Sequence, residues 1–477
     1  MAYIDDIIVL AETEEIARDH TAGLIYLLES LGYMHPEKTV ETPSQEMEFL
    51  GMVVNSNTLE LRLPGQKLKK LRQEDAKIRD RPATPSAREV SRLLGKFNSV
   101  TKAVLPSPLF CRAMQRDLAL ALEASGQRYD APCVLSPQTR EELDWWVNQL
   151  TNWNGRSLAV AQPDLHIESD ASLIGWGAFS NGAHTGGPWS KREKQLHINC
   201  LELLAATLAV KTFLKNQERK HVLLLLDNTT AVAYINNLGG TVSAQATDIA
   251  RELWMWCIER HIHLTAQHLP GKDNIRADAE SREMKDRSDW MLNPTIFERI
   301  SRRFPDLEVD LFATRLTSQL ARFYSWRPDP MAEATDALLQ DWRSVRGYAN
   351  PPWNLVGRVL ARVEEQTADL VLVAPVWPSQ PWYPKLLGLL KAPPLTITPP
   401  EEEPVMVEVP AQGPEILPPL AVWPISGNIT KVRDFQARLP RSCYPPGGRS
   451  RHNPTTLSAG NGSAGVVNGK LIQFQDL

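Results

Sequence analysis

The feature that most constrains the fold of this chain is a set of four among the acidic residues between His166 and Arg282, namely Asp170, Glu202, Asp227 and Asp278. Asp227 ends the unbroken apolar run Val222–Leu226, which predicts a strand buried on both faces in the centre of a helix-flanked sheet. Asp170 ends a second predicted strand, and ligands of such sheets gather at the carboxyl ends of strands. These two acids are therefore expected to meet at one edge of a sheet.

The other two acids lie near predicted helix starts. Glu202 is in the first turn of an apolar-periodic helix, and Asp278 opens a helix after the loop 270–274. Carboxylates that converge in a dry site repel one another strongly unless cations lie among them. Two Mg²⁺ ions roughly 3.5–4 Å apart would meet this need, would activate a water on one side of a phosphodiester and would stabilise the leaving oxygen on the other. Mn²⁺ is expected to substitute for Mg²⁺.

Each acid also has a purely structural interpretation. Asn199 and Glu202 fit a capping box, and Asp227 and Asp278 could each cap a helix. Taken one at a time, the acids favour these structural interpretations. The order, spacing and strand or helix setting of all four together favour the metal site.

The stretch resembles a retroelement ribonuclease H domain, and its last signature is the most specific part of that resemblance. The signature is carried by His268, Pro270, Gly271, Asn274, Ala277, Asp278, Ser281 and Arg282. The resemblance implies a mixed sheet with flanking helices, in which Asp170, Glu202, Asp227 and Asp278 are the catalytic metal ligands that cut the RNA strand of RNA·DNA hybrids. Many relatives have a mobile histidine in this loop, where this chain has Lys272. Whether Lys272 or His268 replaces that histidine stays open, and Lys272 is counted among the nucleic-acid-binding candidates.

Residues 1–63 carry two hairpin patterns, one with the adjacent acids Asp5 and Asp6 at a tight turn and one containing Phe49, Leu50 and Gly51. Their succession resembles the C-terminal half of a reverse transcriptase palm. In that family the two acids bind the polymerase metals, and the second hairpin grips the primer end. The family's first metal-binding aspartate and nucleotide pocket precede the acidic hairpin, so this chain is expected to lack polymerase activity unless upstream sequence restores them.

Residues 64–160 are predicted to form a helical thumb and connection. The segment 66–81 has seven basic and three acidic residues at helical spacing, which predicts a basic amphipathic helix. Its candidate contacts to the phosphate backbone of template and primer are Lys67, Lys69, Lys70 and Arg72. A solvated charged face is the alternative. The phrases EELDWW and NWNGR resemble the connection of DIRS-group retrotransposons.

After Arg282 a charged linker leads to a predicted small α/β module. Its loop Asn350, Pro351, Pro352 and Trp353 resembles the motif of adenine-N6 methyltransferases, whose amide and aromatic groups hold a flipped base. The glycine-rich methyl-donor loop of that family is not evident, so a structural remnant is favoured and S-adenosylmethionine is not expected as a cofactor. Ten of the 34 residues from Lys391 to Pro424 are proline, which predicts an extended linker. The run 420–428 is a candidate for a last packed piece, and the Gly, Ser and Asn-rich end predicts a largely disordered tail.

Composition limits the remaining possibilities. The net charge is −4 over 477 residues, so nucleic-acid binding must come from local patches. The five cysteines have no metal-finger spacing, which indicates a reducing interior, and no apolar run reaches the roughly 20 residues of a membrane helix. With no signal-peptide pattern, the chain is expected inside the cell, in cytoplasm or nucleus, and not secreted. The sequence leaves the oligomeric state open.

The sequence therefore predicts a multidomain α/β and α+β chain in five parts. They are a partial palm (1–63), thumb and connection (64–160), a ribonuclease H domain (161–283), a methylase-like α/β module (289–392) and a Pro-rich tail (393–477). The predicted function is that of a DIRS-group retrotransposon fragment that hydrolyses the RNA strand of RNA·DNA hybrids with two Mg²⁺ ions. The alternative is a catalytically inert, nucleic-acid-binding relic of a retrotransposon. Hybrid and template-primer nucleic acid are the expected partners, with no membrane.

Overall fold

The structure is a computed structural model that describes residues 2–3, 6–33, 39–158, 162–282, 290–397, 405–408, 418–442 and 462–477. It divides into two compact units, one of Met1–Asp164 with Val232–Ala266 and one of Leu165–Ala231 with Gln267–Leu477. The predicted nuclease stretch 161–283 thus contributes to both units. Asp5, Cys443 and most of the charged linker after Arg282 lie outside the described residues.

The N-terminal part of the chain alternates short hairpins with amphipathic helices. Its elements are β1 (Ala2–Tyr3), β2 (Asp6–Ile7), α1 (Glu14–Ser30), β3 (Glu46–Phe49), β4 (Met52–Asn55), β5 (Glu60–Arg62), α2 (Gly65–Arg79), α3 (Ala87–Asn98), α4 (Arg112–Ala124), α5 (Pro137–Gln149) and β6 (Arg156–Ser157). Strands β3, β4, β5 and β6 form an antiparallel sheet in that order. The β3–β4 turn uses positive φ at Leu50 (51°) and Gly51 (69°), which suits glycine better than leucine.

The helices of this unit pack through stacked aromatic side chains. Phe97 of α3 stacks on Trp146 of α5 with ring centroids 3.9 Å apart, and Phe110 stacks on Trp145 at 4.0 Å. The buried Trp146 indole donates a hydrogen bond to the Phe110 carbonyl at 2.8 Å. Helix α3 begins with a reciprocal capping box between Ser86 and Glu89. These tryptophans therefore stabilise the helical core and are not available to stack on bases.

One buried residue of α2 was not expected. Asp75 is fully buried, and neither of its carboxylate oxygens has a hydrogen-bond partner among the described residues. Burial raises the pKa of this carboxyl to about 8, although Arg79 acts in the opposite direction. The helix therefore buries an acid beside Leu71, on a face that the sequence predicted to be apolar.

The middle of the chain forms a mixed sheet with helices. Its elements are β7 (Leu165–Ala171), β8 (Gly175–Ser180), β9 (Ala183–Pro188), α6 (Ile198–Phe213), β10 (His221–Leu226), α7 (Thr229–Asn236), α8 (Ala244–Glu259), β11 (His263–His268) and α9 (Ile275–Arg282). Strand β7 pairs in parallel with β10 and antiparallel with β8. Burial alternates along β10, with Leu223 and Leu225 only half-buried, so the predicted burial of that strand on both faces is wrong.

The C-terminal part forms a larger sheet. Its elements are β12 (Trp290–Leu292), α10 (Pro294–Arg303), β13 (Val309–Asp310), β14 (Arg322–Ser325), β15 (Ala334–Thr335), β16 (Arg346–Ala349), α11 (Val356–Gln366), β17 (Asp369–Pro375), α12 (Tyr383–Gly388), β18 (Leu395–Thr396), β19 (Met406–Glu408), β20 (Leu420–Ser426), α13 (Ile429–Arg438), β21 (Ser463–Val467), β22 (Lys470–Gln473) and β23 (Gln475–Asp476). Eight strands pair in the order β15-β14-β13-β16-β17-β20-β18-β23. Residues 418–442 and 462–477 form β20, α13 and β21–β23, because their apolar side chains complete this core. The predicted packed piece 420–428 is thus confirmed as β20, whereas the prediction of a disordered end is wrong for residues 462–477.

Two apolar clusters cover the two faces of the larger sheet. One contains side chains of α11 and α12, among them Val359 and Leu386, together with Trp423 of β20. The other contains Ile296 and Ile300 of α10. A mostly parallel sheet needs such cover on both faces because both faces of its strands are apolar. None of the described helices combines the length and the apolar character that crossing a bilayer requires.

The loops after β13 and after β14 join the two sheets of the second unit. Arg315 forms a two-pronged ion pair with Glu193, with distances of 2.8 and 3.0 Å, and donates to the Pro188 carbonyl at 3.0 Å. The Thr185 hydroxyl donates to the Pro328 carbonyl. Arg315 and Glu193 are mostly buried, with side-chain exposures of 9% and 20%. The larger sheet is therefore packed directly against the end of β9.

The buried acid of α2 predicts a pH dependence of stability. Because the pKa of Asp75 is about 8 in the folded chain and 3.8 for an ordinary, solvated aspartate of the unfolded chain, the folded state holds an extra proton between these values. Its contribution to the free energy of unfolding should fall by up to about 1.4 kcal/mol per pH unit as the pH rises through this window. Urea unfolding at pH 5, 6 and 7.5 should show this slope reduced in Asp75→Asn and unchanged in Asp80→Asn, an exposed acid just beyond the same helix. Equal slopes in wild type and Asp75→Asn would contradict the assignment.

Candidate metal centre

Strand pairing places Asp170 and Asp227 at the same level of the sheet. Leu226, the last residue of β10, is the register partner of Ser169 in β7. The next residue along each parallel strand is an acid, so both carboxylates stand at one sheet edge. Asp170 is 3% exposed, whereas Asp227 is half-buried. The sequence predicted this edge from the apolar runs that precede each acid.

Glu202 comes to the same edge from α6. That helix begins at Ile198, and its N-cap is His197, whose ring nitrogen accepts a hydrogen bond from the Asn199 N–H at 3.2 Å. The capping box offered as the alternative for Asn199 and Glu202 is therefore absent, because His197, two residues earlier, occupies the capping position. The backbone N–H of Ala171 donates to the Glu202 carboxylate, while Glu202 Oε2 is buried without a partner among the described residues.

Asp170, Glu202 and Asp227 form the group that can share an ion. One carboxylate oxygen from each lies within 4.8 Å of the others. Burial and the two neighbouring aspartates raise the pKa of Glu202 to about 9. Burial also raises the pKa of Asp170 and of Asp227, with the facing carboxylates adding to the shift. Like charges are thus held together in a place where water cannot screen them.

Helix α9 fixes the orientation of Asp170. The Ser281 hydroxyl donates to Asp170 Oδ2 at 2.6 Å, and the buried Asn274 amide donates to the Ser169 carbonyl at 3.1 Å. The helix can lie this close because Gly177 of β8 has no side chain. A Cβ at Gly177 would stand 2.3 Å from the Ala277 carbonyl oxygen. The positions of the last sequence signature are therefore explained by the contact between α9 and the strands.

The fourth predicted ligand, Asp278, is near the group but points elsewhere. It lies in the first turn of α9, which begins three residues earlier than expected, and its carboxylate accepts a hydrogen bond from Arg282. Its charge still raises the pKa of Asp170 and of Asp227. The helix-capping alternative for Asp227 is not seen either, because the Asn228 side chain accepts the Ala231 N–H at 2.9 Å instead.

The loop before α9 passes beside Asp227. The Leu269 N–H donates to the Leu226 carbonyl at 2.8 Å, and a Cβ at Gly271 would stand 3.4 Å from Asp227 Oδ2. His268 is exposed and close enough to lower the pKa of Asp227, opposing the effect of burial. Lys272 is also exposed. Of the two candidates for the loop histidine's role, His268 thus has a demonstrable electrostatic influence on the group.

The sequence did not predict an ion pair that the structure shows on β7. Glu168, two residues before Asp170, is buried and accepts a hydrogen bond from Arg276 Nε at 3.1 Å. The Arg276 guanidinium also lies over the Phe179 ring, 3.9 Å from its centroid. The alternation of β7 places Glu168 and Asp170 on the same face, and this spacing was the available signal. Arg276 neutralises Glu168. Asp170 is therefore the acid of β7 that joins Glu202 and Asp227 in the carboxylate group.

The predicted polymerase and thumb residues lie in the first unit. Asp6 is exposed in the β1–β2 hairpin, and Asp5 lies outside the described residues. Phe49 ends β3, and Leu50 and Gly51 form the following turn. Among the four candidate cations of α2, the Lys67 ammonium donates to the Gly51 carbonyl and the Arg72 guanidinium to the Val147 carbonyl, whereas Lys69 and Lys70 are exposed. Two of these cations therefore bind backbone carbonyls of the fold, although Arg72, like Lys69 and Lys70, is exposed to solvent.

The predicted methylase-like loop follows β16 in the larger sheet. Asn350 comes directly after the strand, and Trp353 contacts Trp377 edge to face with centroids 5.2 Å apart. Next to this strand end is Asp310, the buried last residue of β13, whose carboxylate accepts the Gln319 N–H at 3.1 Å. Burial raises the pKa of Asp310 to about 7. Strand order reverses between β13 and β16, and ligands of open α/β sheets bind at such switch points.

The carboxylate group fits a divalent cation of the hard, oxygen-binding class. Its donors are all carboxylate oxygens, which Mg²⁺ and Mn²⁺ prefer over nitrogen or sulfur ligands. The buried Glu202 Oε2 has no hydrogen-bond partner among the described residues, and a buried charged oxygen is costly unless it is paired or bound to metal. Asp170, Glu202 and Asp227 would hold the ion, with Asp278 close by.

Comparison with known proteins places the chain near viral enzymatic polyproteins. No protein-family model matches it. The enzymatic polyprotein of Cauliflower mosaic virus strain D/H is 23% identical over 307 residues, covering 59% of this chain and 40% of the viral protein. The Strasbourg strain gives the same identity and coverage. Over this stretch the chain is similar to a viral enzymatic polyprotein. It spans about 40% of the length of these curated relatives.

Solved structures similar to parts of the chain are ribonucleases H and reverse transcriptases. RNase H1 from the archaeon Halobacterium salinarum NRC-1 is 19% identical, covers 24% of this chain and 92% of its own, and has a TM-score of 0.21. The foamy viral protease-reverse transcriptase in complex with an RNA/DNA hybrid is 12% identical, with coverages of 56% and 35% and a TM-score of 0.28. Superpositions at these scores assign no function to this chain. The functional interpretation rests on the chain's own carboxylates.

The raised pKa of Glu202 predicts that metal binding releases protons. At pH 7 the metal-free chain holds a proton on this carboxyl because its pKa is about 9, and a metal ligand must be deprotonated. The apparent affinity for Mn²⁺ should therefore rise with pH between 7 and 9, by up to about tenfold per pH unit. Calorimetric titration in buffers of different ionisation enthalpy measures the released proton.

The Glu202→Gln variant should lose both the proton release and most of the affinity. Glu168→Gln is the matched control, because this buried glutamate of the same sheet is paired with Arg276. Metal binding that is independent of pH in the wild type would contradict the assignment of Glu202 as a ligand.

Proposed function

We propose that this chain is a reverse transcriptase/ribonuclease H fragment of a retroelement, and that its activity is metal-dependent hydrolysis of the RNA strand of RNA·DNA hybrids. The observation that carries the proposal is the group formed by Asp170, Glu202 and Asp227, with oxygens from all three within 4.8 Å and one Glu202 oxygen unsatisfied. The resemblance to DIRS-group retrotransposons is a narrower part of the same proposal and rests on the sequence phrases of the connection.

The roles of the side chains follow from their positions. When bound, a pair of Mg²⁺ ions supplies a nucleophilic water and neutralises charge on the phosphate. Asp170, Glu202 and Asp227 would hold these ions, and Ser281 keeps Asp170 turned toward them by its hydrogen bond. Asp278 would join from the first turn of α9 if its carboxylate leaves Arg282. His268 lies beside Asp227, in a position to exchange a proton with the departing product or with solvent.

The chemistry is assigned to this group and not to the acidic hairpin. Within the described residues, Asp170, Glu202 and Asp227 are the one set of three or more potential ligands close enough to share an ion. Asp6 is exposed on a two-stranded hairpin and has no such set around it. The absence of polymerase activity remains a prediction.

The alternative is a relic that binds nucleic acid without cleaving it. It predicts tight hybrid binding and no metal-dependent product. Against it stands the presence of all four acids, Asp170, Glu202, Asp227 and Asp278, since decay of an inert remnant has no reason to spare all of them. The two hypotheses differ in a single readout, which is the appearance of cut RNA.

Cleavage of a labelled hybrid tests the proposal. The full chain with Mg²⁺ should cut the RNA strand of a hybrid and leave duplex DNA intact. Asp227→Asn should slow cleavage on the order of a hundredfold or more, because the metal ions contribute several kcal/mol of transition-state stabilisation. Asp273→Asn, an exposed acid of the neighbouring loop, should cleave normally. Cleavage by Asp227→Asn at the wild-type rate would refute the site, and binding without any product would select the relic.

A second candidate function is ligand binding at the switch point of the larger sheet. Asn350 and Trp353 follow β16, and the buried Asp310 ends the adjacent β13. This placement favours a site for a planar, amine-bearing ring, in keeping with the resemblance to adenine-N6 methyltransferases. Proline on both positions between Asn350 and Trp353 restricts the backbone of the loop.

Transfer of a labelled methyl group from S-adenosylmethionine to DNA tests this candidate. We expect no transfer, because the methyl-donor loop of the family is not evident, and we expect the module to act as a structural remnant. Methyl transfer by the wild type that is lost in Asn350→Ala would establish the activity instead. Asn354→Ala, which changes a nearby asparagine outside the motif, is the control.

A further inference from the structure

A polar cleft of about 580 Å³ lies within the first unit. One wall comes from the end of α3 and the start of α4, and the other from the loop after α7 and the start of β11. The volume falls within the roughly 300–1,000 Å³ typical of ligand sites in proteins. The charged or ionisable residues that line it are Lys102, Arg112, Arg156 and His263.

The lining of this cleft has cations and no acids. Among the described residues that line it there is no aspartate or glutamate, although the whole chain has 56 acidic residues against 52 lysines and arginines. Seven further lining side chains are amides or hydroxyls. These groups are Asn98, Thr101, Gln115, Asn236, Asn237, Thr241 and Thr265. Such a lining attracts anions and can donate several hydrogen bonds to their oxygens.

A second cleft, in the other unit, differs because acids in its lining form ion pairs with its cations. Its lining includes Arg346, Lys391 and Lys431, but also Asp306 and Asp369. Arg346 is paired with Asp306, and both lysines are paired with Asp369. Three of the four cations of that cleft are therefore neutralised within the protein, and the fourth is Arg303. Lys102 and Arg156 of the first cleft form no ion pair among the residues that the structure describes.

The cleft is built and not accidental, because Arg112 holds its loop in place. The Arg112 guanidinium donates to the carbonyl of Asn237 and, at 3.5 Å, to that of Leu238. Leu238 and Gly239 have positive φ of 51° and 92°, and a Cβ at Gly240 would stand 2.7 Å from the Tyr234 ring. The two glycines thus allow a tight turn that exposes Thr241 at the mouth of the cleft.

We infer that this cleft binds the phosphodiester backbone of a nucleic-acid strand, with Lys102 and Arg156 as the phosphate-contacting cations. A backbone ligand fits because the lining offers positive charge and hydrogen-bond donors. It has no exposed tryptophan, tyrosine or phenylalanine on which bases could stack, since its tryptophan, Trp254, is 2% exposed. The inference rests on the proposed function only in that both take nucleic acid. It does not require a metal or cleavage.

Salt-dependent binding tests the cleft directly. The full chain is titrated, in EDTA so that no cleavage occurs, against a fluorescein-labelled RNA·DNA hybrid, the same sequence as duplex DNA, and the single RNA strand, between 50 and 300 mM KCl. Lys102→Gln/Arg156→Gln should weaken duplex binding about tenfold or more, and should reduce the slope of log K against log salt by about 1.8 for two lost contacts. The loss of affinity and of salt slope should be equal for the hybrid and for duplex DNA, because both present phosphates. The reduction in slope should be somewhat smaller for the single strand.

Two further variants keep the test decisive. Arg346→Gln/Lys431→Gln removes two cations from the neutralised cleft and should leave the slope unchanged. Thr241→Glu keeps every cation but adds an acid at an exposed position of the cleft mouth, so it should weaken binding without affecting folding. A slope for Lys102→Gln/Arg156→Gln equal to that of the control double variant, or a loss confined to one duplex type, would overturn the inference.

The outcomes for the cleft and for the nuclease are separable. Hybrid cleavage by the wild type, with an unchanged salt slope in Lys102→Gln/Arg156→Gln, would reject the cleft and leave the nuclease standing. A reduced slope in a chain that never cuts RNA would do the reverse.

Discussion

Repulsion among buried carboxylates is the constraint on which the second unit depends. Asp170, Glu202 and Asp227 come from two strands and a helix, and one oxygen of each lies within 4.8 Å of the others. Their raised pKa values show the cost of keeping this charge away from water. Carboxyl groups with strongly perturbed pKa values concentrate at functional sites, so this arrangement favours a functional role for the three acids. Divalent cations would convert this repulsion into binding energy, because each oxygen would become a ligand.

The supports of this group are contacts of backbone and small side chains. Gly177 lets α9 approach the sheet, so that Ser281 reaches Asp170 and Asn274 reaches the neighbouring carbonyl. Further out, Arg327 lies 3.9 Å from Glu280 of the same helix, and it belongs to the loop after β14, whose Pro328 carbonyl accepts a hydrogen bond from Thr185 of β9. The position of the acids therefore depends on a chain of packed elements that extends into the C-terminal sheet.

Much of this site could be predicted because strand ends and acids coincide in the sequence. The apolar run before Asp227 and the strand before Asp170 place both acids, and the α9 signature locates the supporting helix. The cap of α6 could not be predicted, because His197 and Asn199 compete for it and only the three-dimensional path of the chain decides. Asp75 was missed for a related reason: helical spacing alone does not show which polar position a neighbouring helix covers.

The C-terminal sheet marks a different limit of prediction. Pro424 lacks an N–H, and such residues indicate an edge strand or a linker. Yet β20 runs between β17 and β18, and the Pro424 carbonyl accepts the Lys391 N–H.

Diffraction from crystals soaked in Mn²⁺, with anomalous data, tests the central claim most directly. The account predicts two ions roughly 4 Å apart among Asp170, Glu202 and Asp227. Carboxylates that share protons and hold no ion at saturating Mn²⁺ would contradict it.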